Sequence, residues 1–253
     1  IGLRTVEIDR TKLATGSRFC IKVNGHDVFC KGGNWIPADA ILARVESKKY
    51  EVLVSDAKNA NLNMLRIWGG GVYEAPAFYN ACDKAGILVW QDFMFSCSEY
   101  PDHDPAFRDA IRAEAESVVK CLRHHPCIAL WSGNNENIWG FENWWNKDRS
   151  IDDKNLQVGG KLLYNQTLPE VCRTLDPSRP YWPSSPYGGE RPNDETDGDC
   201  HWWLPFTMNP DMKRRISHEV FDECKGRFVS EYGVIGYCHM DSIKQFLKPE
   251  ERA

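Results

Sequence analysis

The sequence has little excess charge of either sign and no cluster of basic residues. Its 253 residues include 31 Lys and Arg against 36 Asp and Glu, so the formal net charge is −5. A protein that binds nucleic acid or an anionic membrane surface usually shows a basic patch or run. We therefore expect no nucleic acid and no membrane as a partner. Internal repeats and low-complexity segments are also absent, which excludes a repeat array and a disordered chain.

Paired cysteine motifs are missing too, although the chain has ten cysteines. No two of them form a CxxC pair, and most lie within apolar runs, as buried free thiols do. This pattern argues against a disulfide framework and against a zinc site, so we expect no metal and no cofactor. The compartment stays open, with unpaired thiols slightly favouring a reducing, cytoplasmic one. No segment has the form of a signal peptide or of a membrane span.

The sequence does contain a regular alternation of amphipathic stretches and short apolar runs. One apolar set recurs at helical spacing just before the run at 128–131: Phe107, Ile111, Ala115, Val118 and Leu122. Such alternation predicts βα units on a parallel sheet. We predict seven strands, near Cys30 and over 62–68, 87–95, 128–131, 181–185, 200–203 and 227–231.

An α/β protein of this length fits a (β/α)8 TIM barrel, which takes roughly 250 residues and needs eight strands. Because seven strands are visible, we predict a barrel fragment that lacks the last strand. Residues 1–10 alternate like an edge strand, so we expect 1–15 to be the tail of a preceding β domain and 16–253 to be the barrel. Asn24-Gly25 predicts a hairpin turn. Residues 187–199, rich in Gly, Pro, Asn and acid, predict a loose loop.

The most informative stretch is 131–139, Trp-Ser-Gly-Asn-Asn-Glu-Asn-Ile-Trp. It places Glu136 at the carboxyl end of a predicted strand, where a parallel α/β barrel carries its chemistry. Glu231 follows another apolar strand in the same way. Two such acids predict an enzyme that splits glycosidic bonds. The alternative for Glu136 is an acid at a helix N-terminus, and the alternative for Glu231 is a structural carboxylate paired with an arginine.

Other side chains at the strand ends are candidate substrate contacts. Asn135 can donate to a sugar hydroxyl or serve only as a turn residue. Arg66 and Asp92 are charges inside apolar strands, so they are expected to pair with each other or to orient Glu231 and the substrate. His201 is a further candidate, against the more common role of a core histidine. Tryptophan rings either stack on a sugar or pack in the core, and those near strand ends are Trp68, Trp90, Trp139, Trp202 and Trp203.

Six motifs, in order along the chain, resemble the catalytic barrel of glycoside hydrolase family 2, and within it the β-mannosidases. They are Phe29-Cys-Lys-Gly-Gly-Asn-Trp-Ile-Pro-Ala-Asp39, Leu65-Arg-Ile-Trp-Gly-Gly-Gly-Val-Tyr73, Trp90-Gln-Asp-Phe-Met-Phe95, Trp131-Ser-Gly-Asn-Asn-Glu136, Pro183-Ser-Ser-Pro186 and Ser230-Glu-Tyr-Gly233. The motifs span nearly the whole chain, which makes the resemblance specific where a lone Asn-Glu would be weak.

The resemblance implies a retaining exo-glycosidase that removes terminal β-D-mannose, with Glu136 as the acid/base and Glu231 as the nucleophile. Asn135 would bind the 2-hydroxyl of the sugar. The other candidate contacts are Trp68, Asp92, His201, Trp90, Trp139, Trp203, Arg66 and Asn34.

The resemblance also implies partners. The substrate would be a β-mannoside oligosaccharide or glycan. Residues 1–15 would leave an immunoglobulin-like domain, and upstream β domains of the full-length protein would adjoin the barrel. Two alternatives stay open at this point. One is a family 2 β-galactosidase, β-glucuronidase or exo-β-glucosaminidase, and the other is a non-catalytic carbohydrate-binding fragment.

Overall fold

The computed structural model describes residues 2–145, 160–204, 209–215, 217–233 and 236–251. The chain divides into two compact units. The larger unit comprises Ile1–His201 and Lys225–Glu231, and the smaller one comprises Trp202–Cys224 and Tyr232–Ala253. Every predicted site residue except Trp202 and Trp203 belongs to the larger unit, so the strands of that unit determine the geometry of the site.

The larger unit begins with a three-stranded antiparallel sheet made of β1 (Val6–Asp9), β2 (Cys20–Val23) and β3 (His26–Val28), in that order. β2 and β3 form the hairpin that Asn24-Gly25 predicts, and these two residues have φ values of 51° and 77°. The turn suits its sequence, because asparagine tolerates and glycine readily adopts positive φ.

Seven further strands follow in two sheets. Five form a parallel sheet, hydrogen-bonded in sequence order: β4 (Gly32–Trp35), β5 (Met64–Ile67), β6 (Leu88–Asp92), β7 (Ile128–Ser132) and β8 (Tyr181–Trp182). β9 (Cys200–Trp202) and β10 (Val229–Tyr232) pair with each other in a separate sheet. The predicted α/β class with a parallel sheet is therefore confirmed. Within the described ranges the strands do not join into one closed ring, so the complete barrel stays a prediction.

Three long helices connect the first parallel strands: α1 (Ser47–Asn59), α2 (Pro76–Ala85) and α3 (Pro105–Leu122). Pro76 and Pro105 stand in the first turn of their helices, where no intrahelical N–H is needed. The Asp104 side chain caps α3 by accepting from the N–H of Ala106. Gly86 ends α2 with a φ of 72°. These helix ends follow directly from local sequence.

Later helices are shorter. The four-residue helix α4 (Asn137–Gly140) continues into a π-helical turn at Phe141–Trp145. A second π-helical turn, Leu163–Thr167, runs into α5 (Leu168–Leu175). Pro169 lies in the first turn of α5, where a proline is tolerated, so it does not break this helix.

The parallel sheet buries a different set of side chains on each face, as the two-residue period of a strand requires. One face packs Leu65, Ile67 and Val89 among helix residues. The opposite face joins the antiparallel sheet in a second apolar cluster, composed of Val6, Phe19, Ile21, Met64, Trp90, Ala129, Leu130 and Trp182. Arg66 and Asp92 follow Met64 and Trp90 by two residues. They therefore lie on this second face, nearer the carboxyl ends of the strands.

The smaller unit is mainly helical. It contains α6 (Met212–Arg215), a 3-10 helix at His218–Glu223, α7 (Met240–Phe246) and a 3-10 turn at Pro249–Glu251. Val220 thus lies in a 3-10 helix, and α7 ends before Pro249. Among the helices of the described ranges, none combines the length and the apolar character that crossing a membrane requires.

Candidate active site

Glu136 stands in an unusual turn instead of capping a helix. It follows β7 with a φ of 63°, a left-handed backbone that is uncommon for a residue with a Cβ. It occupies the N-cap position of α4, yet its side chain makes no capping hydrogen bond. Nearby, Gly133 passes so close to Pro183 that a Cβ would lie 2.3 Å from the Pro183 carbonyl oxygen. The helix-cap alternative for Glu136 is therefore not supported.

His201 connects the two candidate carboxylates. Its Nδ1 lies 2.7 Å from Oε1 of Glu136 and 3.3 Å from Oε2 of Glu231. Three atoms lie within 4.8 Å of one another: one carboxylate oxygen of Glu136, one of Glu231 and a ring nitrogen of His201. The His201 side chain is fully buried, whereas Glu136 and Glu231 keep 12% and 9% of their side-chain surface exposed. Both acids therefore keep a small part of their surface accessible to solvent where they meet.

Arg66 fixes Glu231 from the side of the parallel sheet. Its Nη1 donates to Oε1 of Glu231 at 2.6 Å and to Oδ1 of Asn34 at 2.8 Å. Its Nη2 donates to Oδ2 of Asp92 and to Oδ1 of Asn135, both at 2.8 Å. Burial opposes the charge of Arg66, but Asp92 and Glu231 raise its pKa above the ordinary value. Arg66 thus pairs with Asp92 and also with Glu231. The sequence left open which of these two contacts it makes, and the structure contains both.

Burial shifts the pKa of Glu136 and the pKa of His201 in opposite directions. Desolvation raises the pKa of Glu136, against smaller opposing effects of the Cys97 hydrogen bond and the Arg66 charge. Burial also lowers the pKa of His201 to about 4, so the imidazole is neutral at neutral pH. A carboxyl group with a raised pKa beside a second carboxyl group that an arginine contacts is the arrangement expected of a general acid and a nucleophile.

Two predicted contacts lie beneath the site. Asp92 is fully buried and accepts from Nε1 of Trp90 at 2.9 Å and from the N–H of Gly69 at 3.0 Å. Trp90 is also fully buried, and its ring packs near Phe19 in the apolar cluster. The expectation that Trp90 contacts the substrate is therefore wrong, because its inward position on β6 removes it from any opening. Its structural role is to hold Asp92, which in turn binds Arg66.

The other tryptophans differ in position. Trp139 is half-buried on α4, with its ring centroid 6.3 Å from that of His201 and 5.0 Å from that of Trp144. It is placed to wall the site. Trp68 directly follows β5, and its ring covers Gly70, where a Cβ would lie 2.0 Å from the ring. Trp203 belongs to the smaller unit, and its role as a contact stays a prediction.

Three residues around these candidates were not predicted from the sequence. The Sγ of Cys97 lies 3.4 Å from Oε2 of Glu136. The Oγ of Ser185 lies 3.1 Å from Nε2 of His201 and 2.6 Å from Oδ2 of Asp199. Ser185 belongs to the Pro183-Ser-Ser-Pro186 motif, which was its one signal. No local pattern distinguishes Cys97 or Asp199.

Two expectations about these regions need correction. Residues 187–199 are not a loose loop, because Asp199 is fully buried and forms an antiparallel bridge with Tyr187. All ten cysteines are free, as expected, but three of them are exposed: Cys97, Cys121 and Cys238. The Gly, Pro and acid content of residues 187–199 correctly indicated an irregular backbone. Composition does not show, however, which acidic residue of the segment is buried.

Two glutamates and a histidine at this spacing also suit a divalent cation. However, the guanidinium of Arg66 already places a fixed positive charge 2.6 Å from Glu231, and a second cation there would be repelled. We therefore do not interpret the cluster as metal ligands. One oxygen of Glu136 lies within 4.8 Å of one oxygen of Glu231, a spacing compatible with the roughly 5–5.5 Å between the two carboxyl groups in the retaining class of glycoside hydrolases.

Comparison with known proteins leads to a particular family within that class. No protein-family profile matches the chain. It is 41% identical to β-mannosidase B of Thermothelomyces thermophilus and 39% identical to that of Neosartorya fischeri, over 98% of this chain in each case and 29% and 30% of those proteins. The crystal structure of β-D-mannosidase from Dictyoglomus thermophilum matches 99% of this chain and 29% of its own, with a TM-score of 0.90 and 44% identity.

The chain is therefore homologous to a segment of the β-mannosidases of glycoside hydrolase family 2. The solved structures that it resembles are family 2 enzymes with TIM-barrel domains. The chain spans about 30% of the length of the curated relatives that it matches.

Proposed function

We propose that this chain carries the catalytic site of a retaining exo-β-mannosidase, which removes β-linked mannose from the non-reducing end of an oligosaccharide or glycan. The observation that carries the proposal is the meeting of Glu136 and Glu231, whose oxygens approach within 4.8 Å beside His201. An inverting enzyme separates its carboxyl groups by roughly 6.5–9.5 Å to admit a water, and this pair is closer than that. Mannose as the sugar is supported by the names of the similar proteins.

In the first step, a carboxylate oxygen of Glu231 attacks the anomeric carbon while Glu136 gives its proton to the glycosidic oxygen. A bond to Glu231 forms, the bond to the leaving oxygen breaks, and the released group departs with the proton. Arg66, 2.6 Å from Glu231, orients the nucleophile. Burial of Glu136 keeps the proton available for this transfer.

In the second step, water loses a proton to the Glu136 carboxylate and its oxygen attacks the anomeric carbon. The bond to Glu231 breaks, and mannose leaves with its original configuration. Asn135 would bind the 2-hydroxyl, since its Oδ1 is oriented by Arg66 at 2.8 Å and its Nδ2 lies 3.2 Å from Oγ of Ser96. Trp139 would supply an apolar face to the sugar.

The proposal extends to the remainder of the fold. Strands β4 to β10 would supply seven strands of a (β/α)8 barrel formed by residues 16–253. Residues 1–15 would be the exit from an immunoglobulin-like domain, and upstream β domains of the full-length protein would help to wall the pocket. The ten free cysteines favour a reducing compartment.

A panel of p-nitrophenyl glycosides, assayed on the full-length protein, tests the choice of sugar. We expect kcat/KM for the β-mannoside to exceed that for the β-galactoside, β-glucuronide and β-glucosaminide by at least about tenfold. Equal values for the mannoside and galactoside would overturn the substrate assignment. Sugar binding without hydrolysis of any member would favour the non-catalytic alternative.

Covalent trapping tests the two roles. A 2-deoxy-2-fluoro-β-mannosyl fluoride reacts with the nucleophile and leaves slowly, so peptide mapping should find the label on Glu231. A label on Glu136 would reverse the assignment. Glu231→Gln should abolish both turnover and labelling, and its thermal unfolding should stay cooperative, which separates loss of the nucleophile from loss of the fold.

A further inference from the structure

A buried chain of hydrogen bonds runs from Glu136 through His201 to Asp199. Nε2 of His201 lies 3.1 Å from Oγ of Ser185, and that oxygen lies 2.6 Å from Oδ2 of Asp199. The same carboxylate oxygen lies 2.5 Å from Oγ of Ser230. His201, Ser185 and Asp199 are at most 2% exposed. Solvent therefore does not supply alternative partners, and the hydrogens must be shared among these groups.

The contacts of Asp199 fix the direction of the serine bonds. Its Oδ1 accepts from Nε1 of Trp182 at 2.7 Å and from the N–H of Tyr187 at 3.0 Å. The two serine oxygens at 2.6 and 2.5 Å from Oδ2 are in the range of charge-assisted O–H···O bonds. Each such contact requires a hydrogen between the oxygens. Since a hydroxyl has one hydrogen, Ser185 and Ser230 both donate to Asp199.

Ser185 then has only lone pairs left for His201. Nε2 must carry the hydrogen, and a neutral imidazole that is protonated at Nε2 has a lone pair at Nδ1. Oε1 of Glu136 lies 2.7 Å from that lone pair. A contact of this length needs a hydrogen, so the protonated carboxyl of Glu136 supplies it.

We infer that Ser185 and Asp199 are positioning residues for the acid/base: they lock His201 in the Nε2–H tautomer, and His201 in turn stabilises the proton-carrying form of Glu136. The inference rests on the proposed function, because it concerns the acid of that reaction. The other tautomer would point an N–H at Glu136 and Glu231. That arrangement would stabilise the ionised form of Glu136 and remove the acid at neutral pH.

Several other ionisable groups face Glu136 and His201, and each comes from a different element. They are Arg66 on β5, Asp92 behind it on β6, Cys97 after β6 and Glu231 on β10. Substitutions at Ser185 or Asp199 leave all of them in place. Asp199→Asn also removes the charge of Asp199, which acts on His201. A change in the protonation of Glu136 therefore reports on the His201 tautomer when Ser185→Ala, which alters no charge, shows it too.

Asp199→Asn keeps the shape of the side chain and reverses the direction of its hydrogen bond with Ser185. The amide oxygen still accepts from Trp182 and Tyr187, so the amide nitrogen faces Ser185 and donates to it. The Ser185 hydrogen then turns to Nε2 of His201, which moves the ring hydrogen to Nδ1. Ser185→Ala removes the acceptor of Nε2–H by a different route, and it keeps the test open if Asp199→Asn does not fold.

In both variants the ionised form of Glu136 gains a donor, so its pKa falls. We expect the basic limb of the kcat/KM profile on a β-mannoside to move down by about one pH unit. Mannobiose, which needs the acid, should lose more rate than a dinitrophenyl mannoside, which does not. Ser184→Ala is the matched control, because it deletes a buried hydroxyl from the same turn that bonds Oδ1 of Asn134 at 2.7 Å. A basic limb in Asp199→Asn and Ser185→Ala that coincides with the control would overturn the inference.

A second readout does not depend on activity. In the 15N-histidine-labelled full-length protein, the ring nitrogen shifts should show hydrogen on Nε2 of His201 in the wild type and on Nδ1 in Asp199→Asn. The His201 signals are identified by their absence from His201→Gln. Hydrogen on Nδ1 in the wild type overturns the inference whether or not a mannoside is cleaved. Hydrogen on Nε2 in a protein that cleaves no glycoside overturns the proposed function alone.

Discussion

Nη1 of Arg66 lies 2.6 Å from Oε1 of Glu231, although 165 residues separate them along the chain. The contact joins β5 of the parallel sheet to β10 of the two-stranded sheet. The same guanidinium binds Oδ2 of Asp92 at 2.8 Å. One buried cation therefore binds two buried acidic side chains, and the direction in which Glu231 points depends on it.

Arg66→Met should destabilise the protein strongly, because it leaves Asp92 and Glu231 buried without a counter-charge. Breaking a buried ion pair in this way costs about 3–5 kcal/mol, and urea unfolding measures the loss. Arg66→Lys should recover only part of it, since one ammonium group lacks the planar fork that reaches four acceptors. Turnover should be low in both variants because Glu231 loses its orientation.

The control for Arg66 is Arg112→Met. Arg112 pairs with Glu170 at 2.8 Å, but both side chains are substantially exposed, 38% and 52%. Such a pair contributes about 0–1 kcal/mol. If the Arg66 and Arg112 variants lose the same free energy of unfolding, the buried network is not the source of stability that its geometry indicates.

Glu136 should set the basic limb of the pH–rate profile. Burial raises its pKa, so the acid form persists to higher pH than in an ordinary glutamate, and kcat/KM should fall about tenfold per unit once the pH exceeds that pKa. Glu136→Gln should lower kcat/KM for mannobiose by roughly 10²–10⁴. The same variant should keep rapid bond cleavage with a dinitrophenyl mannoside, whose leaving group needs no proton. A wild-type profile without a basic limb would contradict this role.

His201 should make stability decline in mild acid. Its pKa is about 4 in the folded protein because it is buried, whereas an unfolded histidine has a pKa of about 6.5. Between these two pKa values, this histidine therefore binds a proton in the unfolded state but not in the native state. The stabilisation is complete above pH about 6.5 and is lost as the pH falls toward 4.

Urea unfolding at a series of pH values tests this expectation. His201→Gln should flatten the decline between pH about 6.5 and 4. His218→Gln, whose side chain is 91% exposed in the wild type, should retain the full decline. Equal slopes for both variants would show that His201 is not the group responsible.

The central strands were predictable because both of their faces are buried. Strands β5 and β7 are buried at every position, so they appear in the sequence as largely apolar runs, interrupted in β5 by Arg66. The depth of a residue was not predictable. The two-residue period of β6 places Trp90 on the inner face, as observed. That period cannot distinguish a ring buried beneath the site from a ring that lines its opening.

The two acids were predictable from their motifs, whereas their connection was not. Glu136 and Glu231 each follow an apolar strand, and that pattern is local. The position of His201 between them depends on how distant strands meet in space. Asp199 was missed for a related reason, since its segment has the composition of a surface loop while its four acceptor bonds are formed with buried or half-buried partners.

Cys97 should make the site sensitive to small thiol reagents. Its Sγ lies 3.4 Å from Oε2 of Glu136, and the residue is exposed. Treatment with methyl methanethiosulfonate adds a methylthio group at the sulfur, which would occupy space beside the acid, so activity should fall and dithiothreitol should restore it. Burial of the sulfur and the neighbouring Glu136 charge raise the pKa of the Cys97 thiol, so the reaction should be slow at neutral pH and faster at higher pH.

Two variants separate Cys97 from the other exposed thiols. Cys97→Ser removes the reactive sulfur and should keep its own untreated activity after the reagent is added. Cys121→Ser removes an exposed cysteine on α3, and this variant should remain as sensitive as the wild type. Bound mannose should slow the loss of activity in the wild type, because a sugar against Glu136 covers the sulfur. Inactivation that proceeds equally in Cys97→Ser would place the reactive thiol elsewhere and remove Cys97 from the neighbourhood of the acid in solution.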